Sequence, residues 1–358
     1  MKVKNIIITI LFSLLIVGMF LLNIISEDKD ISLEERRKLA KLPEFTKEEI
    51  FSSKLSNNFE SYAVDQMVFR NSFRTLKSMV NVGLFRQKDD NSYFEKEGAI
   101  YKIEYPLNES NVNKTLDILK SVYDKHLKEA NVYFAIIPDK NYYLEDDHLK
   151  IDYNRMKELV NDKLTNVEYI DIWNDLNLDS YYNTDIHWRQ ESLTDVVKTL
   201  NKALGNEVKS VDYEKENVGK FYGTYYGQIP AKVEADDMYI LKNDTINRAV
   251  VYNYEKNEVT QIYDRTESND KYDIYLSGAT SLIGIKNPSV TNGKELIIFR
   301  DSFGSSIAPL MIDNYENVIL VDLRYMSSQI LDKFVEFKDN QDVLFLYSTM
   351  LLNQNILK

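Results

Sequence analysis

Hydrophobic and polar positions follow three patterns along the chain, and the first is a nearly continuous apolar segment between positions 5 and 26. It supplies roughly twenty apolar positions, enough to cross a bilayer as one helix. Lys2 and Lys4 precede it and acidic residues follow it, so the positive-inside rule predicts a cytoplasmic N-terminus and an extracytoplasmic remainder. A cleaved signal peptide is the alternative, but its apolar stretch is shorter and ends in small residues, whereas this one ends in Asn23-Ile24-Ile25-Ser26. We predict an uncleaved membrane anchor over residues 1–26.

The second pattern has the period of a helix. Charged residues dominate up to Phe45, and apolar residues between Thr46 and Leu84 then recur at three- and four-residue steps. This spacing is typical of amphipathic helices, and we predict two of them after a juxtamembrane linker. Residues 27–90 therefore form a predicted linker and N-terminal helical segment.

The third pattern alternates short apolar runs with helical periodicity and fills residues 91–358. Predicted strands lie at 132–138, 167–173, 295–300, 318–323 and 343–347, and predicted helices at 109–130, 154–164, 192–204, 305–315 and up to 337. Such alternation predicts a three-layer α/β/α domain with a parallel sheet and right-handed crossovers. Residues 206–290 instead alternate Tyr and Val with polar residues, which predicts a β-rich insertion of antiparallel hairpins.

Composition narrows the function classes. With 44% apolar residues among 358, the chain can bury a full core, and its formal net charge is −12. A nucleic-acid partner normally requires a basic surface, so we predict none. The chain has no cysteine, which excludes disulfides, thiolate metal sites and a cysteine nucleophile.

Two short motifs carry the candidate chemistry. Ser302 follows the predicted strand 295–300 and precedes a helix, which is where functional groups collect in an open parallel sheet. Its hydroxyl can act as a nucleophile while backbone N–H groups at the helix start, such as that of Gly304, hold a developing oxyanion. His187 is the candidate base, Asp185 can orient its ring from two residues before it, and Trp188 can shield the site from water.

Other uses of these residues stay open at this point. Asp185 can cap a turn around a structural histidine, and Ser302 can cap the following helix. Asp185 and His187 can also bind a metal, but they lack the clustered histidines that most zinc sites use, so we predict neither a metal nor a cofactor. His126 lies in a predicted helix and His148 in a polar loop, and both are predicted surface residues.

The sequence resembles the bacterial DHHW family, which is related to the alginate O-acetyltransferase-like branch of the SGNH/GDSL esterase superfamily. The motifs that carry the resemblance are TDIHW (184–188), FRDSFGSSIAPLM (299–311), VILVDLRYMSSQI (318–330), EERRKLAKLPEF (34–45), FESYAVDQMVFRNSF (59–73), AIIPDKNYYL (135–144) and FYGTYYG (221–227). The histidine that directly follows the aspartate in DHHW is Ile186 here, and a plain GxND block is missing.

The resemblance implies an SGNH-like fold in which Ser302 carries the acyl group, His187 is the base and Asp185 orients it. Further oxyanion or substrate contacts are open: the Gly278 N–H is a candidate, Arg300, Arg324 and Tyr325 are candidates for the rim of the site, and ordinary surface and packing contacts are the alternative for all four. Lys140 follows a predicted strand and is either a crevice contact for an anionic sugar or acyl donor, or a solvated lysine.

We therefore predict a membrane-anchored, extracytoplasmic O-acyltransferase or esterase for the acetyl groups of a cell-envelope or exported polysaccharide. The resemblance also implies a multi-span membrane O-acyltransferase as a possible partner. The alternatives are a non-catalytic carbohydrate-binding protein and a scaffold of an acetylation complex, since a fold does not guarantee an activity.

Overall fold

The computed structural model describes residues 2–32, 37–44, 53–87, 89–145, 148–229, 233–266, 268 and 270–358. The beginning of the first predicted amphipathic helix, positions 46–52, and positions 34–36 and 45 of the linker motif lie outside these residues. The chain divides into two compact units, one formed by residues 1–91 and 226–231 and the other by residues 92–225 and 232–358.

The first unit is mainly helical. Its described elements are α1 (Lys2–Ile25), β1 (Ile31–Ser32), β2 (Arg37–Lys38), α2 (Ser53–Asp65) and α3 (Arg70–Ser78), which continues as one π-helical segment (Met79–Leu84). Within α1, Val3–Ile25 is long and apolar enough to cross a membrane, a test that a signal sequence also passes. The described part of the predicted amphipathic region thus forms the helices α2 and α3.

The second unit is a mixed α/β structure around one large sheet. The described strands of that sheet follow the order β10-β9-β11-β13-β12-β14-β5-β6. They are β5 (Asn131–Ile137), β6 (Glu168–Tyr169), β9 (Val250–Asn253), β10 (Glu258–Thr260), β11 (Leu282–Lys286), β12 (Glu295–Arg300), β13 (Asn317–Val321) and β14 (Asp342–Ser348). Strands β13, β12, β14, β5 and β6 are parallel, whereas β11, β9 and β10 pair antiparallel.

The sheet is therefore mixed, and the prediction of a parallel sheet holds for only part of it. Strands β9, β10 and β11 come from residues 206–290, which we predicted as a β-rich insertion of antiparallel hairpins. They extend the sheet because β11 pairs with β13 and satisfies the backbone groups that β13 would otherwise expose at an edge. Outside this sheet, β3 (Tyr93–Lys96) pairs with β4 (Ala99–Lys102), and β7 (Glu214–Phe221) pairs with β8 (Asp236–Lys242).

The helices of this unit fall into two packed groups. They are α4 (Glu109–His126), α5 (Tyr153–Lys163), α6 (Thr194–Ala203), α7 (Asp244–Arg248), α8 (Gly304–Met311) and α9 (Thr349–Gln354). Helix α4 packs against α5 and α9, while α8 packs against α6, β12 and β13. Strand β14 is buried at every position, as expected for a strand covered on both faces.

Two predicted elements are shorter in the structure. The strand predicted over 167–173 comprises only β6, because the Asp171 carboxylate accepts the Trp173 N–H (3.0 Å) and starts a 3₁₀ turn. The helix predicted up to Phe337 is a 3₁₀ segment, Ser328–Lys333. Neither change moves the carboxyl ends of β12 and β14, where the candidate site lies.

Candidate active site

Ser302 lies in a tight turn between the end of β12 and the start of α8. The turn closes on Asp301, whose side chain accepts the Phe303 N–H (3.1 Å) and whose carbonyl accepts the Gly304 N–H (3.1 Å). The Ser305 N–H donates to the Ser302 carbonyl (3.2 Å). Within the described structure the Ser302 N–H donates no hydrogen bond, so it is the N–H of this turn best placed to receive an oxyanion. The Gly304 N–H is engaged inside the turn, and an oxyanion role for it stays a prediction.

Glycine at position 304 permits this turn. A Cβ atom there would lie 2.5 Å from the Cβ of Arg300, a separation that a packed interior does not tolerate. Because Gly304 has no side chain between α8 and β12, the turn holds the Ser302 hydroxyl close to the sheet.

Asp185, His187 and Ser302 form a hydrogen-bonded chain. The two ends of residues 181–188 meet in an isolated antiparallel bridge between Tyr181 and Trp188. One carboxylate oxygen of Asp185 accepts the His187 N–H (2.9 Å) and lies 2.5 Å from the ring nitrogen Nδ1. The other ring nitrogen, Nε2, lies 2.8 Å from the Ser302 hydroxyl oxygen. Since a carboxylate only accepts, Nδ1 carries a proton and a neutral ring leaves Nε2 free to accept from Ser302.

The surroundings of the Asp185 carboxylate favour its ionised form. Its carboxylate is fully buried, and its second oxygen accepts the Thr224 N–H (2.5 Å). Burial by itself raises the pKa of Asp185, but the His187 ring and the N–H groups of Thr224 and His187 outweigh it and hold the pKa well below its usual range. An ionised carboxylate at this position stabilises a positively charged ring.

Aromatic rings fix the orientation of the imidazole. Tyr272 stacks on His187 with ring centroids 3.8 Å apart and planes 10° apart, and Phe303 approaches at 4.8 Å. The Tyr272 hydroxyl and the Trp188 indole N–H both donate to the Ser306 hydroxyl, each at 2.8 Å. Trp188 is fully buried behind the site, which fits the predicted exclusion of water on that side.

Lys140 lies in the interior, although the sequence left it open as a crevice contact or a solvated lysine. Its ammonium donates to the carbonyls of Tyr182 (3.0 Å), Asn183 (3.2 Å) and Asp185 (3.0 Å). The rings of Tyr101 and Tyr225 cover it at 5.1 and 5.0 Å. Three N–H donors meet three carbonyls, so the charged form of the side chain matches this cage.

The Asp236 carboxylate binds backbone N–H groups of the same segment. Its carboxylate accepts the N–H groups of Asn183 (2.8 Å) and Thr184 (2.9 Å), the Thr184 hydroxyl (2.6 Å) and one guanidinium N–H of Arg189 (2.5 Å). A buried cation thus binds the carbonyls of residues 182, 183 and 185, and a buried anion binds the amides of residues 183 and 184. Opposite charges hold the backbone that carries Asp185.

The three predicted rim residues differ in how deeply the structure buries them. Arg300 is fully buried and donates to the Thr280 carbonyl (3.2 Å) and to the buried Asp322 (3.4 Å), so it lies in the interior. Arg324 makes a bidentate contact with the same carboxylate (2.9 and 2.7 Å). Tyr325, beside it, is 50% exposed.

Gly278 also has a structural use. Its N–H donates to the Tyr275 carbonyl (3.2 Å), and its φ of +77° is one that glycine adopts readily. An oxyanion role for this N–H stays a prediction. In the part of the chain that the structure describes, no group of three His, Asp or Glu side chains is arranged to hold a metal ion.

Four contributors to the site were missed from the sequence: Gly223, Thr224, Asp236 and Tyr272. A Cβ at Gly223 would lie 2.1 Å from the Asp185 Cβ, so glycine is required where the chain brings the Thr224 N–H to the carboxylate. The FYGTYYG motif was a signal for this contact, because clustered glycines mark close backbone approach. Asp236 and Tyr272 lie in a segment without any local signal of chemistry.

Comparison with known proteins bears on the family and the fold of the chain. The family model described as DHHW protein matches residues 153–321, a span that contains Asp185, His187 and Ser302. The resemblance to the DHHW family is confirmed. No curated protein matches the chain.

Solved structures share the fold. A DHHW family protein from Eubacterium siraeum DSM 15702 matches with a TM-score of 0.59 and 20% identity over 74% of this chain and 95% of that chain. Bacillus cereus PatB1 with a sulfonyl adduct matches with a TM-score of 0.59 and 16% identity over 74% and 97%. The O-acetyltransferase domain of Pseudomonas putida AlgJ matches with a TM-score of 0.45 and 10% identity over 74% and 92%. The first two likenesses show that the chain shares the α/β fold of those two proteins.

Proposed function

We propose that the chain is an SGNH-like O-acyltransferase or esterase that moves acetyl groups of a cell-envelope or exported polysaccharide through an acyl-Ser302 intermediate. One observation carries the proposal: the Ser302 hydroxyl lies 2.8 Å from Nε2 of His187, whose Nδ1 lies 2.5 Å from Asp185. Nucleophile, base and orienting carboxylate in this order are the arrangement of Ser-His-Asp acyl transfer.

The proposed reaction has two half-steps. As the Ser302 oxygen attacks the acyl carbon, its proton passes to Nε2 of His187, and the bond to the donor oxygen then breaks as that oxygen takes the proton. In the second half-step an acceptor hydroxyl gives its proton to Nε2 and attacks the acyl-serine, and the proton returns to the Ser302 oxygen. Water as the acceptor makes the enzyme an esterase, and a sugar hydroxyl makes it a transferase. Asp185 stays ionised throughout and stabilises the imidazolium.

Fold and location belong to the same proposal. Burial of β14 along its whole length and two separate helix groups support a three-layer SGNH-like arrangement.

The apolar helix α1 supports an uncleaved anchor with the α/β unit outside the cytoplasm. A multi-span membrane acyltransferase is the proposed donor of acetyl groups. Two results would contradict the anchor. One is release of the protein from membrane fractions by alkaline carbonate, and the other is a mature protein whose N-terminus lies beyond residue 26.

The proposed acyl-transfer activity is tested by measuring how fast the full chain in detergent hydrolyses nitrophenyl acetate. Ser302→Ala should lower kcat by about 10³-fold or more, because the nucleophile is lost. Ser121→Ala, on the exposed side of α4, is the matched control and should leave kcat unchanged. Equal rates for Ser302→Ala and the wild type would instead favour a non-catalytic carbohydrate-binding or scaffold protein.

A further inference from the structure

Helix α3 presents an apolar face to solvent. Phe69, which caps the helix, and Phe73, Leu76 and Met79 expose 62%, 44%, 57% and 59% of their surface. At 100° per residue Phe73, Leu76 and Met79 fall within an arc of about 120°, and Phe69 directly precedes the first turn of the helix. Soluble surfaces seldom carry contiguous apolar side chains of this kind, and such a face marks an interaction site.

The start of α3 is tied to the end of α1. The Val68 N–H donates to the side-chain oxygen of Asn23 (2.8 Å). Gln66 donates to the carbonyls of Lys29 (3.0 Å) and Ala40 (2.9 Å) and accepts the Lys29 N–H (2.9 Å). The corner between α2 and α3 therefore lies beside the last turn of the apolar helix.

These bonds set the depth of α3 if α1 crosses a bilayer. The apolar stretch Val3–Ile25 contains 23 residues and is about 35 Å long, slightly more than the hydrocarbon thickness of about 30 Å. Asn23 lies two residues before its outer end, at about the boundary between acyl chains and head groups. Val68, bonded to Asn23, lies at the same level, and α3 begins two residues later.

We propose that α3 is an interfacial helix whose apolar face of Phe69, Phe73, Leu76 and Met79 enters the outer surface of the bilayer that α1 crosses. This inference rests on the proposed membrane anchor. A bilayer is the occupant that the geometry favours, because α3 begins beside the outer end of the apolar helix α1. An amphipathic helix with aromatic and aliphatic residues on one face binds at that depth.

The absence of cysteine permits a direct test. Leu76→Cys and, as a second position, Phe73→Cys are labelled with an environment-sensitive fluorophore in the full chain, reconstituted in vesicles of phosphatidylcholine and phosphatidylglycerol. Asn71→Cys is the matched control, because Asn71 is exposed on the opposite side of the same helix. Lipids with a shallow nitroxide should quench the labels at 76 and 73 several-fold more strongly than the label at 71, and aqueous iodide should quench the label at 71 most strongly.

A label at Leu14 separates this proposal from the anchor. Strong quenching at position 14 by a deep nitroxide, together with equal quenching at 76 and 71, overturns the interfacial helix alone. No quenching at position 14 overturns the anchor and the interfacial helix with it. A label at 76 that neither iodide nor lipid nitroxide quenches shows that a protein surface covers the face, which also overturns a bilayer contact.

Discussion

Replacing Lys140 by methionine removes one buried ammonium and keeps the apolar stem of the side chain. In the wild type this ammonium donates to three carbonyls, and among the residues that the structure describes only the Asn183 carbonyl has another donor, the Ile100 N–H at 2.8 Å. Methionine therefore leaves the carbonyls of Tyr182 and Asp185 buried without a donor. Each such group costs about 1–3 kcal/mol, so the segment that carries Asp185 loses about 2–6 kcal/mol of stabilisation.

Removal of the charge offsets part of this loss. Burial lowers the pKa of Lys140 from 10.5 to about 7, although Asp185 and Asp236 raise it. The remaining charged neighbours, Arg189 and Asp139, act in opposite directions. The unfolded chain binds more protons than the folded chain between these two pKa values, so wild-type stability rises from pH 7 to 10.5 by about 1.4 kcal/mol per pH unit. Below pH 7 the wild type carries the full cost of the buried ammonium, so its stability relative to Lys140→Met is lowest there.

Stability and activity should consequently change in opposite directions with pH. Above pH 7 the wild type becomes more stable relative to Lys140→Met, while its neutral amine offers only two N–H donors to three carbonyls and holds Asp185 less firmly. We expect wild-type kcat/KM to fall as pH rises through about 7 because of this loss. The variant should lack that alkaline decrease and should be about 10²-fold less active at pH 6, since a displacement of about 1 Å has that effect.

Two measurements test this prediction. Urea unfolding followed by tryptophan fluorescence between pH 6 and 9.5 gives the free-energy difference between the two proteins, and nitrophenyl acetate turnover over the same range gives the activity. Lys198→Met is the control, because that side chain is 56% exposed and pairs only with Asp195 among the described residues. A stability difference that is flat between pH 7 and 9.5, or a variant with wild-type activity, would refute the role of the ammonium.

Three further substitutions probe the surroundings of the imidazole. Asp185→Asn should lower kcat by about 10³- to 10⁴-fold with KM nearly unchanged in steady-state kinetics, because the ring loses its preferred tautomer; a loss below tenfold would contradict the assignment. Gly223→Ala should lower the free energy of unfolding by about 3 kcal/mol in urea titrations, since its Cβ overlaps Asp185, whereas Gly83→Ala, in open space, should change it by less than about 1 kcal/mol. Tyr272→Leu should lower kcat about tenfold because the ring stacked on His187 contributes about 0.5–1.5 kcal/mol of orientation, and Tyr272→Phe, which keeps the ring, should retain most of the activity.

The parts of the site that were predictable from sequence depend on local geometry. Asp185 lies two residues before His187, a spacing at which an aspartate bonds the backbone and ring that follow it. Ser302 could be placed because carboxyl ends of parallel strands meet at one edge of a sheet. The helices α4, α5, α6 and α8 and the strands β5, β12, β13 and β14 were found near their true bounds because their apolar periods are strong.

The parts that were not predictable depend on pairing between distant segments. Lys140 follows a strand, and a strand end is commonly solvated. The return of residues 181–188 over that end, together with the rings of Tyr101 and Tyr225, buries it. Arg300 was expected at the rim, but Asp322 lies beside it at the end of the neighbouring strand and draws it into the interior. No local pattern reports which loop covers which strand end.

The β-rich segment 206–290 is a structural part of the site and not an appendage to it. Its residues supply the N–H that holds the second oxygen of Asp185, the carboxylate of Asp236 that holds the amides of residues 183 and 184, and the ring that stacks on His187. Local spacing alone brings Asp185 near His187, but it does not determine where that pair lies relative to Ser302, 115 residues away. The carbonyl cage of Lys140 and the contacts of Asp236 supply this constraint, because each charge is buried and stays satisfied only while the backbone of residues 182–185 keeps its place. Substitutions in this segment, far from the serine in sequence, should therefore alter turnover before they unfold the protein.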